Sequence, residues 1–247
     1  MKKLYFLILP CLMISTMAHA QWTGMYAGGN LGYAWNSSEM ETKVSHNGTY
    51  FISSDADAIA AVGSGSSTSS NVLGGAQVGY HWQSDKLVIG FEFDVNAYDT
   101  STTRESTGGY PCCSPSTFTI EQSVETNWLT TLRPHVGYTY GNLLAYVTGG
   151  LAVADIQSTS KFYDDFGTNA YEKSSASSTR AGWTAGAGVE YSLSTAWSIG
   201  AQYLYTSFGS ISSSGELTDD VGEVAGLEHD ADLTSNILRL NVNCHFG

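Results

Sequence analysis

The chain has 247 residues, 42% of them hydrophobic, with 10 basic against 23 acidic side chains and a formal net charge of −13 at pH 7. So acidic a balance excludes nucleic acid as a partner, since phosphate binding needs a basic surface. The length fits one domain, and no run after Ala20 is apolar and long enough for a membrane helix, so only a closed barrel could carry this chain across lipid.

In chain order, residues 1–20 read as an export leader: Lys2 and Lys3, an apolar run from Leu4 to Met13, and a small-residue exit at Ala18-His19-Ala20. Cleavage is expected after Ala20, which removes Cys11 and leaves residues 21–247 as one barrel domain. An uncleaved anchor is the alternative, and the apolar run is short for it. The first strand is predicted over Gly24 to Trp35, with Ala27, Leu31, Tyr33 and Trp35 on one face. The second runs from Val72 to Trp82; after Gln83-Ser84-Asp85-Lys86 the third places Leu87, Ile89, Phe91, Phe93 and Val95 together. Trp128 to Tyr138 and Leu143 to Val153 form the next hairpin, Ala181 to Tyr191 and Trp197 to Tyr205 the third, and Leu238 to Phe246 the last strand. All alternate with period two, and no segment with helical periodicity competes.

Eight such segments of ten to twelve residues span an apolar band of about 25 Å when tilted. Three short turns alternate with four long stretches, near residues 36–71, 99–124, 155–179 and 207–234, which read as loops. The expected fold is therefore all-β: an eight-stranded, antiparallel, up-and-down transmembrane barrel with three short periplasmic turns and four long extracellular loops. A hairpin hidden around Tyr50-Phe51-Ile52 would raise the count to ten.

Alternation alone does not distinguish a membrane barrel from a soluble one with an apolar core. The polar face carries glycines, among them Gly28, Gly79, Gly137 and Gly188, and few charges, which suits a narrow, filled interior better than a wet surface. Aromatic residues gather at both ends of the apolar face, as at membrane interfaces, with Trp82, Tyr138 and Phe246 by the short turns and Trp35, Trp128 and Tyr203 by the long stretches. The apolar face is therefore expected to meet lipid.

The inward set includes Glu92, Asp94, Arg133, His135, Glu190 and Arg239, with Glu92 and Arg133 level on neighbouring strands. They are read as a structural or gating polar network. His81 points the same way, and His46 and His229 fall in loops. Most of the carboxylates lie in the long stretches, Glu216, Asp219, Asp220, Glu223, Glu228, Asp230 and Asp232 in the last alone, without calcium-loop spacing. Cys112, Cys113 and Cys244 lack zinc-site spacing; the adjacent pair, between Pro111 and Pro115, is read as a loop turn, with a loop disulfide or a reactive thiol as alternatives. No residue is assigned to catalysis, a cofactor or a metal.

Several stretches taken together resemble the opacity-protein and OmpA-type family of small outer-membrane barrels, in its surface-antigen branch. They are Trp22-Thr23-Gly24-Met25-Tyr26-Ala27-Gly28-Gly29-Asn30-Leu31-Gly32-Tyr33, Gly75-Ala76-Gln77-Val78-Gly79-Tyr80, Arg133-Pro134-His135-Val136-Gly137-Tyr138, Tyr146-Val147-Thr148-Gly149-Gly150-Leu151-Ala152 and Gly182-Trp183-Thr184-Ala185-Gly186-Ala187-Gly188-Val189-Glu190-Tyr191. The resemblance implies an integral outer-membrane protein of a Gram-negative cell, contacting lipid and lipopolysaccharide, delivered to the assembly machinery by its C-terminal strand, and meeting host or cell-surface molecules through its loops. Two departures stand out: Gly247 follows the aromatic Phe246, and Gln202 stands where many relatives carry glutamate. The function expected is non-enzymatic surface contact or adhesion; a narrow porin, or less favourably a lipid-modifying enzyme, are the alternatives.

Overall fold

Period-two alternation with β-branched and aromatic residues on one face builds a sheet, and a sheet whose apolar face has no second layer to cover it survives in lipid by closing on itself. The computed structural model describes residues 22–45, 51–165, 171–219 and 222–246. The leader with Cys11, and also His46, Asp220 and Gly247, lie outside the described residues. Eight antiparallel strands form a closed barrel in sequence order: β1 (Gly24–Ser45), β2 (Gly65–Ser84), β3 (Leu87–Gly109), β4 (Thr117–Tyr140), β5 (Leu143–Asp164), β6 (Tyr171–Ser192), β7 (Trp197–Asp219) and β8 (Gly222–Phe246). β1 pairs with β8 from Met25–Phe246 up to Ser45–Gly226, which closes the ring. Among the described residues the count is eight: Tyr50 lies outside them, and Phe51 and Ile52 lead into a helix, α1 (Ser53–Gly63).

Two expectations are corrected here. The strands run 20 to 25 residues, about twice the predicted length, because the stretches read as loops continue the ladders into a collar with short tips. Their Ser- and Thr-rich sequences lack a lipid-facing apolar row, yet the β1–β8, β4–β5 and β5–β6 ladders run on through them and pair most of their backbone groups. And a helix does occur: Ala56, Ala58, Ala60 and Ala61 favour α1, whose Ile59 is buried with Phe118, Ile120, Phe162 and Leu227 inside the collar. Arg104 donates to the carbonyls of Gly63 and Ser64 (both 3.2 Å), satisfying the helix's free C-terminal acceptors. At the other end, the backbone N–H of Cys112 donates to Asp55 (3.2 Å). Cys112 and Cys113 lie in a turn, as read, and are joined there in a disulfide, the alternative the sequence left open.

The apolar face is the outer one. Leu31, Val72, Val147 and Leu240 are each 63–64% exposed, while Arg133 and Arg239 inside are at 0% and 1%. In the collar the sense reverses, with Leu129, Ile156, Phe208 and Leu233 buried inside and serines, threonines and charges outside. In β4 the switch is made at a bulge, where Asn127 and Trp128 in succession face away from the interior.

Inward glycines make room for rings on the neighbouring strand. Gly79 pairs with Tyr26, and a Cβ there would stand 2.4 Å from the tyrosine ring and 2.6 Å from the carbonyl oxygen of Phe91. Gly188 serves Tyr146 in the same way on β6. Gly79→Ala is therefore expected to cost about 1–3 kcal/mol through overpacking, seen as a lower urea midpoint of refolded protein; an unchanged midpoint would mean that the ring moves freely.

Candidate functional site

The ladders fix which inward side chains meet. Glu92 on β3 is the register partner of Arg133 on β4, Asp94 of Thr131, and Gln202 on β7 of Arg239 on β8. Arg133 from the neighbouring strand and Arg239 from across the lumen meet one pair of carboxylates. Arg133 Nη2 lies 2.6 Å from both Glu92 Oε1 and Asp94 Oδ2, and Arg239 Nη2 lies 2.9 Å and 3.1 Å from the same atoms. Gln202 Oε1 accepts from Arg133 Nη1 (3.1 Å) and Arg239 Nε (2.7 Å) and ties the cations together. Thr131 donates to Asp94 (2.6 Å) and Tyr26 to Glu92 (2.8 Å), so each carboxylate has donors beyond the arginines. Two cations balance two anions; glutamate at the position of Gln202 would leave one charge over, which gives that departure its physical sense. A water-wide path beside this layer would leave the guanidinium groups exposed, and they are not.

Glu190 and His135 stand apart from these four. Glu190 accepts hydrogen bonds from Ser198 and from Asn243 Nδ2 (3.0 Å), and His245 Nε2 lies 3.4 Å from it. His135 packs edge-on against His81 (ring centroids 4.6 Å apart) and tilted against Tyr146 (5.4 Å) in an aromatic layer near the short turns, and no ion pair joins it to a carboxylate among the described residues. Trp22, against His81 and His245, closes that end. The sequence reading did not name Gln202, Tyr26, Tyr146 or Thr131 as members of the network; their inward position on strands was the available signal.

His229, read as a loop residue, is on β8 and points into the collar. Its Nδ1 lies 3.0 Å from Thr42 Oγ1 and its Nε2 3.5 Å from Glu172 Oε2, with all three residues buried. On the collar's outside Lys43 Nζ binds Asp230 (2.8 Å) and Lys161 binds Glu121 (2.9 Å). The hydrogen bond from Lys43 holds the Asp230 carboxyl below its ordinary range. These partly exposed pairs at the collar surface contribute little stability.

Residues 4–246 match the outer membrane protein beta-barrel domain. The chain belongs to that family. It is an outer-membrane β-barrel, and its outward apolar belt is the surface that meets lipid. It is 35% identical over 190 residues to the 31 kDa outer-membrane immunogenic protein of Brucella melitensis, covering 76% of this chain and 72% of that one. It is 32% identical over 138 residues to a 22 kDa outer membrane protein of Rhizobium leguminosarum, covering 55% and 53%. Among solved structures, the outer membrane protein OprG of Pseudomonas aeruginosa is 13% identical, with 92% of this chain and 99% of that chain covered and a TM-score of 0.44.

Proposed function

We propose that this is a non-enzymatic surface protein, exported by a leader cleaved after Ala20, whose closed barrel anchors a hydrophilic, acidic collar on the outside of the cell for contact with host molecules, neighbouring cells or lipopolysaccharide. The observation that carries the reading is the combination of a lumen blocked by Glu92, Asp94, Arg133, Gln202 and Arg239 with strands that continue well past the upper aromatic residues, β1 from Trp35 to Ser45 and β7 from Tyr203 to Asp219. The short turns then face the periplasm, and β8, ending in the outward Phe246, is the strand offered to the assembly machinery.

Replacing the four collar segments by short turns tests the proposal in living cells. The truncated barrel is expected to remain heat-modifiable and membrane-inserted, while attachment of the expressing cells to epithelial monolayers and to one another falls at least fivefold. Attachment equal to that of cells carrying the full protein would overturn it.

A pore is disfavoured by the blocked lumen, and planar bilayers holding the purified protein are expected to show no steady open level. The row Thr42, His229 and Glu172 has the residue types of a hydrolytic triad. Gly63 of α1 packs onto the Thr42 hydroxyl, and all three side chains are buried, so a substrate has no approach to them.

A further inference from the structure

Buried polar atoms in a folded protein nearly always have a hydrogen-bond partner, so several orphans at one depth point to something that belongs between them. The collar interior has such a layer beside the end of α1, where Gly63 packs onto the Thr42 side chain. It is built from Thr42 on β1, Gln122 on β4, Ser160 on β5, Glu172 on β6 and His229 on β8, all of them buried. The ladders set their common depth: Thr42 is the register partner of His229, and Gln122 that of Ser160, which in turn pairs with Ser174, two residues from Glu172. Both carboxylate oxygens of Glu172, Gln122 Oε1, Ser160 Oγ and His229 Nε2 have no hydrogen-bond partner. The first three can only accept.

What the layer lacks is positive charge. In the belt two arginines balance Glu92 and Asp94, whereas no Lys or Arg comes within ion-pair distance of Glu172 among the described residues. Arg104, the register partner of Gln122, donates to the carbonyls of Gly63 and Ser64 instead. β7 offers the carboxylate no side chain: the β6–β7 ladder stops at Trp183–Ser207 and resumes at Tyr171–Thr218, and within that length Glu172 lies directly on Gly215. The group that faces Glu172 is His229, whose Nε2 stands 3.5 Å from Oε2, long for an N–H···O hydrogen bond. That spacing suits a metal ion. Two ligand atoms bound to a tetrahedral zinc at its usual nitrogen and oxygen distances stand about 3.4 Å apart. The other ring nitrogen is already held, since Nδ1 lies 3.0 Å from Thr42 Oγ1. When Nδ1–H donates there, Nε2 keeps a free lone pair on the side of Glu172.

We propose that the collar interior binds one zinc-type divalent cation between His229 Nε2 and a carboxylate oxygen of Glu172, with water completing its shell. A mixed nitrogen and oxygen donor set selects zinc over calcium or magnesium, which take oxygen ligands. The ion offsets the charge of Glu172, and its bound waters donate to Gln122 Oε1 and Ser160 Oγ, so each orphaned acceptor of the layer is answered. The site is too enclosed for a substrate, and the ion is captured as the collar folds. It ties β6 to β8 across the length in which β6 lacks ladder pairs with β7.

The test uses the full chain refolded in detergent micelles with an equivalent of zinc and then desalted. Retained metal is measured by plasma emission, affinity by competition with a chromophoric chelator, and the ion's ligands by X-ray absorption. One zinc per barrel is expected, not displaced by a tenfold excess of calcium, in a nitrogen and oxygen shell with a single imidazole. Glu172→Gln and His229→Gln should each weaken binding at least tenfold, while Glu105→Gln, at an exposed carboxylate on β3, should leave it unchanged. No retained zinc, binding untouched by both collar substitutions, or a shell with two or more imidazoles would each overturn the proposal, the last by placing the ion among His81, His135 and His245. Should the variants fail to refold, the metal count and the absorption spectrum of the unaltered protein still decide.

Discussion

Replacing Val147 by arginine is expected to destabilise the barrel in lipid by about 2–4 kcal/mol, the cost of a basic side chain at mid-depth on a lipid-facing strand. Val147 is 63% exposed, and its ladder partners Val136 on β4 and Ala187 on β6 are apolar. No aqueous or ionic partner is within reach of an arginine on that face. Thr159→Arg, on the same strand but in the collar, is the control and should stay within about 0.5 kcal/mol, as surface substitutions do. Urea unfolding from lipid vesicles measures both. If the Val147 variant matched the unaltered protein, the outward apolar face would be meeting water.

Arg133→Leu should be more costly still, about 3–5 kcal/mol, because it removes one partner from a buried, charge-balanced set and leaves two carboxylates to one arginine. Arg133 also supplies donors to Thr131 and Gln202, which the leucine cannot replace. Combining it with Glu92→Gln restores charge balance, with Arg239 facing Asp94, and is expected to recover a large part of the loss. The same urea titration compares them. A loss below about 1 kcal/mol for the single variant would mean that the ion layer contributes little to holding the barrel shut. Steady current steps in planar bilayers from the single variant, absent from the unaltered protein, would assign the layer a gating role in addition.

The inward position of these groups was legible because parity along a strand is a local property: Glu92, Asp94, Arg133 and Arg239 alternate with apolar neighbours that must face one way. Their partners were not. Arg239 meets Glu92 across 147 residues of chain and the width of the lumen, a contact that exists only once β1 and β8 have paired. Gln202 looked like a missing charge and turned out to be the bridge between two charges, which depends on where Arg133 and Arg239 end up. His135 and Glu190 shared the right parity but sit nearer the short turns, in other layers of the interior.

The collar was misread for a different reason. Phe118, Ile120, Gln122 and Val124 are buried and share their sequence parity with the outward Leu132 and Val136, but the bulge at Asn127 and Trp128 turns them to the opposite face, so one pattern along β4 serves two faces. Above the belt water replaces lipid outside, and the apolar residues turn inward.

The sequence by itself determined the strand number, the alternation of short and long connections and the lipid-facing row, because each depends on residues within a few positions of one another and on the solvent they face. The tertiary structure decided how far the ladders continue past the belt, that α1 fills the upper end, which charges meet in the lumen, and where β6 and β7 part. Those outcomes depend on ring closure, which brings distant strands to fixed depths and lets each buried polar group be satisfied or left bare by partners that no local pattern encodes.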